Sequence, residues 1–345
     1  MKFEFPADKI SAIRSLLSQP KKIVITTHHR PDGDAIGSCL ALYHFLVSDG
    51  HELSVITPDE APDFLKWLPG SRQVICHDKN VQPSETKVKE AEIIFCLDFN
   101  RLDRLDKLSD AVSKSKAKKI LIDHHLDPET SFDFIFSHPE SCATCELIYY
   151  FITALDNAKV ISKSVAACIY TGIMTDTQSF RFSNMTADTH RVIANLIEAR
   201  VENHVIHENV YDSYSEHRLR LLGYCINNKL KVLKEYKTAF ITLSKEELDR
   251  FHFASGDSEG FVNYALAIDG IRLAGFFMEL DGIIKISLRS KGNFSVKEMA
   301  EKYFEGGGHK NAAGGQSELL MEATVEKFIT TLKHYSKELN ACGLT

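Results

Sequence analysis

Apolar and polar positions alternate along the chain in two rhythms, and the switches between them outline its architecture. The run Ile23-Val24-Ile25 lies in a stretch over 22–28 that reads as a buried parallel strand, and the apolar-periodic segment 35–47 reads as the helix after it. A short amphipathic helix over 8–19 precedes them. Further β-rich runs follow at 53–57, 73–76, 93–99 and 119–123, separated by helix-like or turn-like material. That succession predicts a parallel sheet with crossover helices. The segment 61–70, where Trp67 sits among Phe64, Leu65 and Leu68, reads as a loop packed over the sheet. A helix is predicted over 165–173, another over 186–201 with Val192, Ile193, Leu196 and Ile197 on one face, and a helical stretch over 208–229.

From residue 237 the pattern changes. A strand-like run over 237–243 precedes a short helix at 244–251, and 260–268 reads as another helix. Runs at 272–280 and 283–289 flank Asp281-Gly282, a strong hairpin signal. Ser295 and Glu298 form a capping box for a helix through Phe304, and a helix over 323–339 follows the glycine-rich stretch at 306–315. The expected class is α/β: a Rossmann-like parallel-sheet domain over 1–190, a helical connector over 191–229 and a smaller mixed α/β domain over 230–345.

Charge narrows the choice of partner. Lys plus Arg total 41 against 47 for Asp plus Glu, so no global positive field holds a long nucleic acid by many phosphates. A nucleic-acid substrate is expected to be short or gripped locally. No apolar stretch approaches the roughly 20 residues of a membrane span. The first five residues lack a signal peptide's apolar core, so a cytoplasmic protein with no membrane partner is expected. Several of the eight cysteines fall inside apolar runs (Cys39, Cys96, Cys168), which suits reduced thiols. Cys142 and Cys145 have redox or zinc spacing without a second pair, and read better as two packing cysteines at the start of a helix.

Polar clusters interrupt the apolar pattern at the ends of the predicted strands. His28, Asp32 and Asp34 lie in a loop punctuated by Pro31 and Gly33, where open α/β sheets place their chemistry. One imidazole and two carboxylates on a bend suit a hard or borderline divalent cation, a solvated turn being the alternative. Asp98 terminates one strand, and Asp123-His124-His125 terminate the next. Two adjacent histidines after an aspartate at a strand end are poor core filler. Asp176 follows the helix at 165–173; alone it reads as a helix-end residue, and with the other clusters as a ligand. Five glycines around His309 let backbone amides approach an anion closely, with a glycine-rich surface loop as the alternative.

With these motifs the sequence resembles the DHH phosphoesterases, whose triplet is seen here as Asp123-His124-His125, with a C-terminal DHHA1 domain marked by residues 306–315. Its two-domain form is similar to the bacterial oligoribonuclease and 3′-phosphoadenosine 5′-phosphate phosphatase type. The resemblance implies two divalent cations: His28 and Asp32 hold one, Asp34, His124 and Asp176 the other, and Asp98 bridges both. It favours manganese, and mixed imidazole and carboxylate ligands leave magnesium or cobalt open. Two cations sharing a carboxylate lower the pKa of a bridging water, which then attacks phosphorus in line. By the same resemblance His125 donates a hydrogen bond to the scissile phosphate and Asp123 orients a histidine.

In the second domain the resemblance sets His309 and the amides of Gly307 and Gly308 against a phosphate or terminal nucleotide, with Arg289 and Ser290 as further anion contacts. Asn263 is a candidate beside them, Arg181 is one for the leaving portion, and a cleft between the domains is the expected place of catalysis. Two positions depart from the family pattern: Gln178 and Glu305 stand where many relatives have glycine. The implied activity is degradation of very short RNA to mononucleotides, with phosphate removal from 3′-phosphoadenosine 5′-phosphate beside it. Cyclic di-adenylate or its linear product pApA, and polyphosphate or pyrophosphate, are alternative substrates. A nucleotide-binding regulator is the alternative outside enzymes, and a homodimer is the assembly the resemblance implies.

Overall fold

Buried strands in the first half of the chain read as continuous apolar runs because helices cover the sheet on both sides. In β1 (Lys22–Thr26), Ile23 and Ile25 join one core cluster, which includes residues of α1 (Ala7–Leu16) and α2 (Gly33–Leu46), while Val24 joins another. The next elements are β2 (Glu52–Thr57), β3 (Ile75–Cys76), α3 (Val81–Glu90) and β4 (Ile93–Leu97). They are followed by α4 (Ser109–Lys114), β5 (Lys118–Asp123) and β6 (Phe134–Ser137). The six strands are parallel, in the order β3-β2-β1-β4-β5-β6. The chain thus moves outward from β1 to β3 and returns on the other side of β1, so the connections diverge between β1 and β4. That reversal opens a crevice at the carboxyl ends of these two strands. The expected sheet is present with one strand more, since β6 is short and half-buried and carries little pattern.

Four further helices, α5 (Thr144–Leu155), α6 (Lys163–Asp176), α7 (Ala187–Glu198) and α8 (Asn203–Tyr211), pack onto the same core as α2. The computed structural model describes residues 3–341 apart from 157, 159, 183 and 255, and its chain divides into the units Met1–Ser213 and Tyr214–Thr345. The stretch read as one helix over 208–229 is broken at 212–215. There the Ser215 hydroxyl caps α9 (Glu216–Tyr224) by accepting from the Arg218 N–H at 3.1 Å. The division falls at this break, so α7 and α8 belong to the first unit and α9 to the second.

The second unit continues with β7 (Lys231–Leu233), β8 (Thr238–Leu243), α10 (Lys245–Arg250), α11 (Phe261–Leu266), β9 (Leu273–Leu280) and β10 (Ile283–Ser290). It ends with α12 (Val296–Tyr303), β11 (Gly307–His309), β12 (Ala312–Ser317) and α13 (Met321–Ala341). Its sheet runs β11-β12-β10-β9-β8-β7, with β8 and β9 parallel and the other pairs antiparallel. Phe240 of β8 packs in a cluster with Phe328 and Leu332 of α13, while its neighbours Ala239 and Ile241 pack with Leu248 of α10 and Phe261 of α11. The Asp281-Gly282 turn joins β9 to β10 with both residues left-handed, φ 54° and 80°, as a tight two-residue hairpin requires.

The glycine-rich stretch is a hairpin rather than an irregular loop: Gly307 pairs with Gly314 and His309 with Ala312. Glycine's weak strand preference hides this in the sequence. Close backbone packing explains the composition, because a Cβ on Gly308 would lie 2.6 Å from the Ala312 carbonyl oxygen and one on Gly315 2.7 Å from that of Phe304. Among the described residues no helix is long and apolar enough to cross a membrane.

Candidate metal centre

The polar clusters of the first unit converge at the crevice between β1 and β4. His28 follows β1, Asp98 follows β4 and His124 follows β5, while Asp34 lies in the first turn of α2 and Asp176 is the last residue of α6. Asp32 is the N-cap of α2: its Oδ1 accepts from the N–H groups of Asp34 and Ala35 at 3.0 and 3.1 Å. This bond fixes the carboxylate at a helix N-terminus and leaves its second oxygen for a ligand.

Two of the groups of donor atoms among the described residues hold the expected ligands. His28, Asp32 and Asp98 make one, and Asp34, His124 and Asp176 the other, with the donor atoms of each within 4.8 Å of one another. Asp98 faces both. Its Oδ2 lies 3.5 Å from His28 Nε2 and its Oδ1 3.5 Å from His124 Nε2. The other ring nitrogens are engaged with carbonyls: His28 Nδ1 lies 2.8 Å from the His29 oxygen and His124 Nδ1 3.2 Å from the Ser141 oxygen. With protons on Nδ1, both rings present the Nε2 lone pair to the carboxylates, the tautomer a metal ligand needs. Asp123, fully buried, holds His125 Nδ1 at 2.7 Å through Oδ1.

So many acids in one buried place alter one another. Burial, then the charges of Asp98 and Asp176, push Asp34 well above the usual carboxylate range. Burial, helped by Asp32 and Asp98 against the opposing pull of His124, carries Asp176 up to about 6. Burial disfavours a charged His124, but Asp176, Asp98 and Asp34 outweigh it and raise the ring to about 10. Burial also opposes ionisation of Asp98, yet His28, His125 and His124 together hold it well below its ordinary value. In the protein alone, protons on the imidazoles balance the carboxylates. The oxygen and imidazole donors fit hard or borderline divalent ions, whose binding would displace those protons.

The remaining candidates are placed as follows. Arg181 is exposed, and its Nε donates to the Gln178 oxygen at 2.8 Å. Gly307, Gly308 and His309 form β11, while Arg289 and Ser290 end β10. Asn263 is half-buried within α11, its N–H donating to the Gly260 oxygen. Ser290 is differently employed than expected: it is buried, its hydroxyl donates to the Phe294 oxygen at 2.7 Å, and it accepts from Asn311 Nδ2 at 2.9 Å. Its single proton is committed within the fold, so Ser290 is a poor donor to an anion in this structure.

Sequence reading passes over Thr144, which touches two of the candidate ligands. Its N–H donates to Asp34 Oδ2 at 2.6 Å and its hydroxyl to Asp98 Oδ1 at 2.8 Å. The available signal is a threonine at a helix start between two cysteines, a pattern that reads as packing. Those cysteines are indeed buried and free.

The two departures from the family pattern share one backbone state. Gln178 has φ 49° and Glu305 φ 47°, the left-handed region in which glycine is at ease. Gln178→Gly is therefore expected to stabilise the protein by about 0.5–1 kcal/mol, read as a higher denaturant midpoint with an unchanged slope. A lower midpoint would show that the Gln178 side chain makes contacts worth more than the strain.

Polar donors at the switch point of a doubly wound sheet, in one chain with a separate mixed-sheet unit, define a two-domain α/β protein whose first unit gathers imidazole and carboxylate groups that could hold cations. Residues 22–173 match the DHH family, N-terminal domain, and residues 237–338 match the DHHA1 domain. The chain belongs to the DHH family of phosphoesterases. It is 27% identical over 296 residues, 85% of its length and 88% of the relative's, to the bifunctional oligoribonuclease and PAP phosphatase NrnA of Bacillus subtilis. The crystal structure of an exopolyphosphatase-related protein from Bacteroides fragilis superimposes with a TM-score of 0.94 at 42% identity, covering 99% of this chain and 100% of that one. RecJ of Thermus thermophilus, solved in complex with Mn2+, shares the fold at a TM-score of 0.56 and 13% identity, covering 96% of this chain and 55% of RecJ.

Proposed function

We propose that this chain is a divalent-metal-dependent phosphodiesterase that degrades very short RNA to mononucleotides and also removes phosphate from 3′-phosphoadenosine 5′-phosphate. The observation that carries the reading is the pair of donor clusters whose histidines face the two oxygens of Asp98, in a chain related over most of its length to a Bacillus subtilis protein named for those two activities. Bound ions, manganese by preference, would supply Lewis-acid stabilisation of the phosphoryl oxygens and a water of lowered pKa. His28 and His124 keep Nδ1 protonated against backbone carbonyls so that Nε2 serves as ligand. His125, its ring oriented by the contact of Nδ1 with Asp123 Oδ1, would donate through Nε2 to an oxygen of the scissile phosphate. His309, Arg289 and the amides of Gly307 and Gly308 hold the rest of the substrate, Arg181 the leaving portion and Asn263 a flanking group. A net charge of −6 suits a substrate with few phosphates.

The test is a side-by-side hydrolysis assay in Mn2+ with an RNA dinucleotide, a longer RNA, 3′-phosphoadenosine 5′-phosphate, cyclic di-adenylate, pyrophosphate and polyphosphate. The dinucleotide is expected to exceed the longer RNA and the cyclic compound by about tenfold or more in kcat/KM, with the phosphoadenosine compound also cleaved. Preference for cyclic di-adenylate would instead assign the chain to second-messenger turnover. Preference for polyphosphate would assign it the activity that the Bacteroides fragilis relative's name suggests.

A further inference from the structure

Three candidate ligands of the first unit, from three different elements, are all held by one short segment at the start of α5. The Ser141 carbonyl lies 3.2 Å from His124 Nδ1. The N–H groups of Thr144 and Cys145 donate to the two oxygens of Asp34 at 2.6 and 2.8 Å, so the positive end of the helix clasps that carboxylate. The Thr144 hydroxyl donates to Asp98 Oδ1 at 2.8 Å. Ser141, Thr144, Cys145 and Glu146 are all buried. The segment is itself locked, because Glu146 Oε2 accepts from the Ser141 hydroxyl at 2.8 Å and from the Cys142 N–H at 3.3 Å.

Thr144 is the residue in which these bonds meet. Asp34 belongs to one donor group and Asp98 to the other, and Thr144 touches both with separate donors. A β-branched side chain in a helix has few rotamers, so its hydroxyl is a fixed point rather than a mobile one. Asp98 needs such a point. Imidazoles approach both of its oxygens, and without an anchor its carboxylate can turn toward either.

We propose that Thr144 is a positioning residue of the metal centre, whose hydroxyl fixes the Asp98 carboxylate relative to Asp34 so that one oxygen serves each donor group. The inference rests on reading these clusters as a two-cation site. Thr144→Val keeps the shape and the N–H and deletes only the hydroxyl, and Thr144→Ser keeps the hydroxyl. The probe is Mn2+ itself, titrated into each protein and followed by the electron paramagnetic resonance of the free ion, beside kcat and KM for an RNA dinucleotide.

Thr144→Val is expected to bind the weaker ion about 10–100-fold less tightly and to lose about tenfold or more in kcat with little change in KM, while Thr144→Ser restores both. If the wild type binds two ions and Thr144→Val binds them with unchanged affinity and kcat, the hydroxyl merely satisfies itself in the core and the proposal is overturned. If the wild type binds no Mn2+, the reading of the centre fails, and the proposal with it. Should Thr144→Val not accumulate folded, Thr144→Ala deletes the hydroxyl without bulk and is read in the same way.

Discussion

Replacing Asp98 by asparagine is expected to lower kcat by about a thousandfold or more on every substrate the protein cleaves, a loss of about 4 kcal/mol of transition-state stabilisation. The size follows from position. The two oxygens of Asp98 face two different histidines, at 3.5 Å each, which makes its charge the proposed link between the donor groups. Asparagine keeps the shape and tolerates the left-handed backbone that Asp98 adopts at φ 65°, so the fold should persist with its far-ultraviolet circular dichroism unchanged. What is lost is an anion that the neighbouring imidazoles hold ionised in spite of burial. The check is kcat at saturating Mn2+ together with the number of ions bound. Activity within about tenfold of the wild type, with two ions still bound, would exclude Asp98 as the bridge.

The loss should be common to all substrates because the role proposed for Asp98 is at the reacting phosphate and not at what surrounds it. That separates it from residues of the second unit such as Arg289 and His309, proposed to hold the remainder of the substrate. Substitutions there are matters of binding and specificity, whereas a shared bridge is a matter of turnover.

Much of the first unit can be read directly because its strands are buried on both faces. Ile23 to Ile25 and Ile93 to Leu97 appear as unbroken apolar runs, and the polar residues that end them stand out for that reason. His28, Asp98 and His124 are thus local features, each a departure from its own strand. Thr144 is not local. Its contacts with Asp34 and Asp98 join positions far apart in the chain, and nothing near Thr144 records which carboxylates its helix meets. The internal partners of Ser290 are hidden from the sequence for a related reason, since they are set by the hairpin that brings Asn311 against its hydroxyl. The strands β11 and β12 are hidden by glycine, whose role there is to let backbones approach. Where a side chain's environment is made by its own element the sequence speaks for it; where two elements meet, only packing does.

Gly172→Ala tests that packing at a tight point beside the site, and local preference and tertiary contact predict opposite signs. In a helix interior alanine is favoured over glycine by about 1 kcal/mol, so α6 taken alone should gain. A Cβ at Gly172, however, would lie 2.9 Å from the Cys145 Cβ and 2.8 Å from Asp34 Oδ1, with the Cys145 sulfur closer still. Forcing atoms into a filled core costs about 1–3 kcal/mol and occasionally more, so the net expectation is a destabilisation of about 1–2 kcal/mol. Function should suffer more than stability, because the same clash displaces Asp34 from the Cys145 N–H that holds it at 2.8 Å. Mn2+ affinity is therefore expected to fall about tenfold or more. Gly223 of α9 supplies the contrast: nothing lies within 4 Å of its Cβ position, and Gly223→Ala should stabilise by about 1 kcal/mol. The cause can be isolated by adding Cys145→Ala, which removes the sulfur and should return part of the lost stability, a coupling that a double-mutant cycle measures. If Gly172→Ala proves as harmless as Gly223→Ala, the close approach of α6 to α2 and α5 is not what fixes Asp34, and the placement of that ligand must come from α2 alone.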